Sequence, residues 1–180
     1  SNSVKLLLAG MALSSVCSAF SSFVVFFAHD RDGMMSITYW LMGSLAGANW
    51  GNIAVILPLV ILCVLFFITQ YRVLNLMLLG DEVSITLGTD LHKYRNFYLL
   101  VTSLMIGFIV YASGMIGFVG LIVPHVVRIL VGTDHKKLIP ISCLMGAILL
   151  VWADVLCRVM IKGTELPIGI LISMIGAPCF

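Results

Sequence analysis

Long apolar segments, interrupted by few charged residues, constrain the fold of this chain more than any other feature. Several of them reach the roughly 20 residues that a helix needs to cross a bilayer. Hydrophobic residues make up 61% of the 180 residues and charged residues only 10%, a balance that a soluble domain of this size does not tolerate. The sequence therefore predicts an all-α fold, a polytopic transmembrane helical bundle.

Six segments are predicted to enter the membrane, at residues 4–28, 53–70, 97–113, 118–131, 139–159 and 167–180. Residues 35–50 are too short and too rich in glycine for a span. Trp40 and Trp50 suit the membrane–water boundary, so this segment is predicted to be a short interfacial helix.

Lysine and arginine are distributed unequally between the two sets of helix ends. One set carries Lys5, Arg72, Lys93, Arg95, Lys136 and Lys137, and the opposite set carries Arg31 and Lys162. Because basic residues accumulate on the cytoplasmic side, residues 71–96 and 133–138 are predicted to be cytoplasmic. Residues 29–52, 114–117 and 160–167 are predicted to lie outside.

Residues 114–140 read GMIGFVGLIVPHVVRILVGTDHKKLIP, which is more elaborate than a membrane anchor requires. Gly114, Gly117 and Gly120 allow close helix packing, and Pro124 breaks or starts a helix. We interpret the stretch as a packed, bent membrane segment in which these four residues serve helix packing.

This stretch resembles the FecCD family, the permease subunits of type II ABC importers for iron-siderophores, haem and cobalamin. The resemblance covers nearly the whole chain. Its strings are GMIGFVGLIVPH at 114–125, GTDHKKLIP at 132–140, ELPIG at 165–169, IGAP at 175–178, LLLAGMALSS at 6–15, WLMGSLAGANW at 40–50 and LNLMLLGDEVSITLG at 74–88. Family members have about ten spans, so the chain looks like their C-terminal half.

The resemblance implies that residues 1–180 form a single transmembrane permease domain in the bacterial cytoplasmic (inner) membrane. The cargo would be an iron chelate (siderophore or haem) or cobalamin, and the sequence does not choose between them. The implied partners are cytoplasmic ATPase subunits that supply ATP hydrolysis, an extracytoplasmic substrate-binding protein, and a second permease in a homodimer or paralogous heterodimer. We expect no catalytic residue, cofactor, metal or nucleic-acid partner.

The polar connection at residues 71–96 looks like two short helices, separated by Gly80 and ended by Gly88. By resemblance it is the loop that couples to the ATPase. Its candidate contact residues, all expected to face the cytosol, are Leu79, Gly80, Asp81, Glu82, Ser84, Leu87 and Gly88. Exposed apolar surface normally marks a partner site, although the loop packing back on its own bundle is the alternative.

Asp154 and Arg158 lie four residues apart on one predicted helix, near its outer end. They form either a purely structural ion pair or part of a docking site, because Arg158 matches an arginine that binds the external binding protein in the family. Glu165 is interpreted either as an acid at a helix N-terminus or as a second docking residue.

Small residues line one face of the first span, among them Ser14, Ser15 and Ser18. They serve packing or line a translocation path. His125 is more typical of a packed histidine than of a metal ligand. The chain contains no GxxxxGK[ST] loop and no HExxH motif. The alternative functions are a membrane enzyme or an ion-coupled secondary transporter, which would need unpaired carboxylates near the midplane.

Overall fold

The computed structural model describes residues 2–179, and within them it contains helices and connections but no strand. The helices are α1 (Asn2–Phe26), α2 (Arg31–Met42), α3 (Trp50–Thr69), α4 (Tyr71–Met77), α5 (Asp81–Thr86), α6 (Leu91–Ser113), α7 (Val119–Val131), α8 (His135–Val159) and α9 (Ile168–Gly176), then a 3-10 turn at Ala177–Cys179. The predicted all-α class is confirmed. The chain divides into two compact units, one ending at Leu41 and the other beginning at Met42.

Four of the described helices, α1, α3, α6 and α8, are long and apolar enough to cross a membrane. Two further predicted spans correspond to shorter apolar helices, since α7 has 13 residues and α9 has 9. A straight span needs about 20. The predicted multi-span bundle is therefore confirmed, while the number of six spans is approximate.

Side-chain caps decide where two of the long helices begin. The Asn49 side chain accepts a hydrogen bond from the Asn52 amide at 2.9 Å, and Asp90 accepts one from the His92 amide at 3.0 Å. Each bond satisfies an amide that has no partner inside its helix. As a result α3 and α6 begin earlier along the chain than the apolar pattern alone predicts.

The core of the second unit lies around α8. One buried cluster joins α8 to α9 and contains Ala153, Cys157, Ile168, Leu171 and Ile172. A second cluster joins α7 to α8 and contains Val123, Val127 and Leu138. Helix α3 packs against both α6 and α8, so α8 is the central element of this unit.

The connections of the second unit meet at its two ends. At one end the Ser44 amide donates to the Ser113 carbonyl oxygen at 2.8 Å, and the Gly169 amide donates to the Gly43 carbonyl oxygen at 3.2 Å. At the other end the Asn75 side chain contacts Asp134. Each grouping brings together segments that were predicted to lie on the same side of the membrane, and which side is cytoplasmic stays a prediction.

Backbones approach most closely at glycines other than those singled out in the sequence. A Cβ atom at Gly169 would collide with the carbonyl oxygen of Met42 and lie 3.2 Å from that of Met115. A Cβ at Gly117 or Gly120 would meet nothing within 4 Å. The packing role predicted for those two glycines stays a prediction, since within residues 2–179 both have open space where a Cβ would lie.

Two other residues of the 114–124 stretch have clear local roles. Gly114 ends α6 with φ of 70°, a conformation that favours glycine. Pro124 lies inside α7, so it neither breaks nor starts this helix, and both predicted roles are wrong. The helix begins at Val119, directly after Phe118, which itself has φ of 67°.

Candidate functional site

The connection between α3 and α6 is an ordered pair of short helices, called here the α4–α5 loop (residues 71–90). Gly80 separates the helices with φ of 89°, and Gly88 follows the second with φ of 88°. Both values lie in the left-handed region that glycine adopts without strain. The predicted arrangement of two helices and two glycine breaks is confirmed, although the loop ends before residue 96 because α6 begins at Leu91.

Ser84 holds the two short helices together. Its hydroxyl donates to the Gly80 carbonyl oxygen at 2.7 Å and lies 3.3 Å from that of Leu76. The residue is fully buried, so the expectation that Ser84 faces the cytosol is wrong. A buried hydroxyl needs hydrogen-bond partners, and the turn around Gly80 supplies them.

An ion pair fixes α5 to the start of α6. Arg95 Nη2 lies 2.6 Å from Asp81 Oδ1, and Arg95 Nη1 lies 3.2 Å from Asp81 Oδ2. This two-pronged geometry suits a guanidinium and a carboxylate. The hydrogen bonds from Arg95 hold the pKa of Asp81 below its ordinary value, which keeps the carboxylate ionised.

Large apolar side chains cover the outside of this braced loop. We call them the apolar ridge, and each is between 46% and 66% exposed: Leu78, Leu79, Val83, Ile85 and Leu87. Asp81 and Glu82 are exposed beside the ridge, in the first turn of α5. Exposed apolar surface on a rigid segment is typical of a partner-binding site. Sequence reasoning found Leu79 and Leu87, and it missed the contribution of Leu78, Val83 and Ile85.

At the opposite end of α8, Arg158 lies between two carboxylates. Its Nε donates to Asp154 Oδ2 at 3.0 Å, and its Nη1 lies 3.7 Å from Glu165 Oε1. The predicted Asp154–Arg158 pair is therefore present. Glu165 lies ahead of α9, which begins at Ile168. An ion-coupled transporter would use an unpaired carboxylate, and Asp154 is paired.

The predicted path serines lie in the first unit, on α1. Ser14 and Ser15 line a shallow groove together with Gly10, and Ser18 is exposed on the same helix. A role in translocation stays a prediction. The second unit holds a separate apolar groove of about 480 Å³ between α3 and α6, and Asn52 and Ser103 are among the residues that line it.

Metal chemistry finds no support in the part of the chain that the structure describes. Across residues 2–179 no group of three or more His, Cys, Asp or Glu side chains is arranged to hold a metal ion.

Comparison with known proteins assigns the whole chain to one family. The sequence profile of the FecCD transport family matches residues 1–180. The chain belongs to the FecCD transport family. Membership of this ABC permease family, together with four helices of spanning length, makes the chain a multi-pass inner-membrane protein.

Curated relatives are ABC permeases. YvrB of Bacillus subtilis, an uncharacterized ABC transporter permease protein, is 41% identical over 97% of this chain. The hemin transport permease HmuU of Yersinia pestis is 38% identical over 99% of it, and the vitamin B12 import permease BtuC of Salmonella typhi is 38% identical over 98%. The matches cover 49% of YvrB and 53% of the other two, so the chain spans about half the length of these FecCD-type relatives.

A solved structure shares the fold. It is a metal-chelate type ABC transporter in an inward-facing conformation, with a TM-score of 0.90 and 35% identity. The similarity covers 96% of this chain and 56% of that one. The helical arrangement described above is therefore shared with this ABC transporter.

Proposed function

We propose that this chain is membrane-spanning permease sequence of an ABC importer, with no covalent chemistry of its own. Its cargo would be an iron chelate, haem or cobalamin. Family membership supports the transporter class, and the hemin and vitamin B12 permeases among the relatives support this range of cargoes. Two permeases would form the path, a soluble binding protein would deliver the cargo, and ATP hydrolysis in separate subunits would drive the cycle.

The structure of the α4–α5 loop is the main support for the ATP-driven part of this proposal. It is braced from within by Ser84 and tied to α6 through the Asp81–Arg95 pair. It nevertheless leaves a row of large apolar side chains exposed on the predicted cytoplasmic side. A loop that packed back on its own bundle would bury these side chains. A rigid apolar ridge next to Asp81 and Glu82 suits a folded protein partner, which we infer to be the ATPase subunit.

The test places a charge on the ridge in the full-length permease. We expect Leu79→Asp and Ile85→Asp each to weaken ATPase binding about tenfold or more, because the carboxylate would be desolvated at an apolar contact. Stimulation of ATP hydrolysis by the cargo-loaded binding protein should fall in parallel. Co-purification and hydrolysis rates in lipid nanodiscs measure the two effects.

Matched controls at the same positions are Leu79→Met and Ile85→Val, which keep the surface apolar and should behave as wild type. If both aspartate variants bind and stimulate the ATPase normally, the ridge is not the docking surface and the proposed coupling is wrong.

The three residues Asp154, Arg158 and Glu165 are proposed to face the binding protein. They lie at the end of α8 opposite to the α4–α5 loop, on the predicted outer side. Arg158 keeps 45% of its side chain exposed. Its two carboxylate neighbours hold the guanidinium in one position, where it can take part in charge recognition of a protein partner.

A further inference from the structure

Asn75 joins the α4–α5 loop to the turn between α7 and α8, some 60 residues further along the chain. Its Nδ2 donates to Asp134 Oδ1 at 2.9 Å. Its Oδ1 accepts from the His135 backbone amide at 2.8 Å and lies 2.7 Å from His135 Nδ1. With the proton on Nδ1, the ring donates as well. One amide side chain thus uses both its donor and its acceptor on two consecutive residues.

The far partner of this contact is the cap of the central helix. Asp134 is the N-cap residue of α8, and the same Oδ1 atom accepts from the Lys136 amide at 3.1 Å. The hydrogen bond from Asn75, followed by that from Lys136, holds the pKa of Asp134 below its ordinary value. Lys136 also places its Nζ 5.5 Å from the centre of the Tyr71 ring, a second link between α4 and this turn.

These contacts form a continuous path through rigid elements. The apolar ridge is tied to α4 through Ser84, α4 is tied to the cap of α8 through Asn75, and α8 runs from His135 to Val159. A 25-residue helix spans roughly 37 Å at 1.5 Å per residue. Its far end carries Asp154 and Arg158. The path from the ridge to the opposite end of the unit therefore runs through helices and hydrogen-bonded turns.

We infer that Asn75 is a positioning residue for transport, one that makes α8 move with the docked α4–α5 loop. The inference rests on the proposed function, because it takes the loop to be the site where the ATPase binds. The side-chain bonds of Asn75 go to Asp134 and His135, outside the apolar ridge. Its role is to keep the α4–α5 loop and α8 in the same relative position during the transport cycle.

A side-chain exchange tests the role in the full-length permease, assembled with its ATPase and binding protein in nanodiscs. Asn75→Asp brings a carboxylate to within about 3 Å of Asp134, where like charges repel. Binding of the ATPase should persist, because the ridge is intact. Stimulation of hydrolysis by cargo-loaded binding protein should fall at least about fivefold, the lower range of typical coupling between sites.

The double variant Asn75→Asp/Asp134→Asn is the matched control, since it has the net charge of the wild type. The new amide at position 134 can donate to the new carboxylate at position 75 and still cap α8 through its oxygen. The two bonds from His135 also keep their acceptor. Stimulation should return to near the wild-type value, whereas Asp134→Asn alone, which keeps a neutral acceptor for Asn75, should lie between.

The outcomes separate this inference from the proposed function. If wild-type permease fails to bind an ATPase, the proposed function is wrong. If the ATPase binds but Asn75→Asp keeps full stimulation, or the double variant is no better than Asn75→Asp, the coupling role is wrong and the function stands. Should Asn75→Asp fail to fold, Asn75→Ala removes the bonds without repulsion, and full stimulation in that variant would equally overturn the role.

Discussion

The roles of individual side chains in this chain follow only in part from their spacing in the sequence. The Asp154–Arg158 pair follows a four-residue spacing and was predictable, and the structure confirms it at 3.0 Å. The contact of Arg158 with Glu165 depends on how the chain turns after α8, which no spacing rule supplies. Ser84 shows the same limit, because the approach of its hydroxyl to the Leu76 carbonyl oxygen depends on the turn at Gly80.

Arg158→Glu should weaken association with the binding protein by roughly tenfold at low salt, equivalent to about 1.4 kcal/mol. The change replaces the shared cation with a third carboxylate beside Asp154 and Glu165. Lys162→Glu is the matched control, since it makes the same charge change four residues away on an exposed connection. Titration of the two variants at low and high salt measures the difference. Equal losses of affinity in the two variants would show that only net charge matters. Unchanged binding of both variants would show that this end of α8 is not part of the interface.

Among the elements, the α4–α5 loop was the most predictable. Glycine and the acids of α5 predict a break and a helix start, and both are present. The boundaries of α3 and α6 were less predictable, because Asn49 and Asp90 extend these helices into polar sequence. The contacts that tie the loop to the bundle, through Asn75 and Arg95, were missed. Each contact joins residues far apart in sequence, and no local sequence pattern predicts such a pair.

The attachment of α5 should depend on pH through Asp81. The lowered pKa means that the ion pair with Arg95 stabilises the attached loop above the ordinary aspartate pKa, about 3.9, and that this contribution is lost as the pH falls through the lowered value. At pH 7 we expect Asp81→Asn to exchange amide hydrogens in residues 81–88 roughly two- to fivefold faster than wild type. The two should converge only when the pH has fallen below the lowered pKa of Asp81.

Glu82→Gln is the control for this measurement. It removes the neighbouring negative charge while leaving the Asp81–Arg95 hydrogen bonds in place, so its exchange should follow the wild type. If the amide hydrogens of Glu82→Gln exchanged as fast as those of Asp81→Asn, the loss of a negative charge alone would explain the faster exchange.

At the scale of the whole molecule, composition was sufficient to predict a membrane-embedded helical bundle, and the ordered motifs were sufficient to predict the family. Which backbones touch was not predictable. Gly117 and Gly120 form the conspicuous cluster in the sequence, but among the described residues the close approaches to another backbone lie at Gly43 and Gly169. A glycine needed for contact and a glycine facing open space look the same until the partner segment is known.

Gly169→Ala should destabilise the second unit by about 1–3 kcal/mol or more. Its Cβ would meet the carbonyl oxygens of Met42 and Met115, and backbone atoms cannot turn aside as side chains can. Gly146→Ala is the matched control, because a Cβ there meets nothing within 4 Å inside α8. Alanine in a helix is favoured by up to about 1 kcal/mol, so this variant should be neutral or slightly more stable. Thermal unfolding in detergent measures both, and equal midpoints would show that the end of the unit rearranges freely.

The close backbone contact at Gly169 also determines which positions of the sequence can change. The atoms that a new methyl group would strike belong to the main chain of Met42 and Met115, and every amino acid carries the same carbonyl. Replacing either methionine would leave that obstacle where it is. The constraint therefore falls on the glycine alone, and mutations that accumulate in its neighbours cannot relieve it.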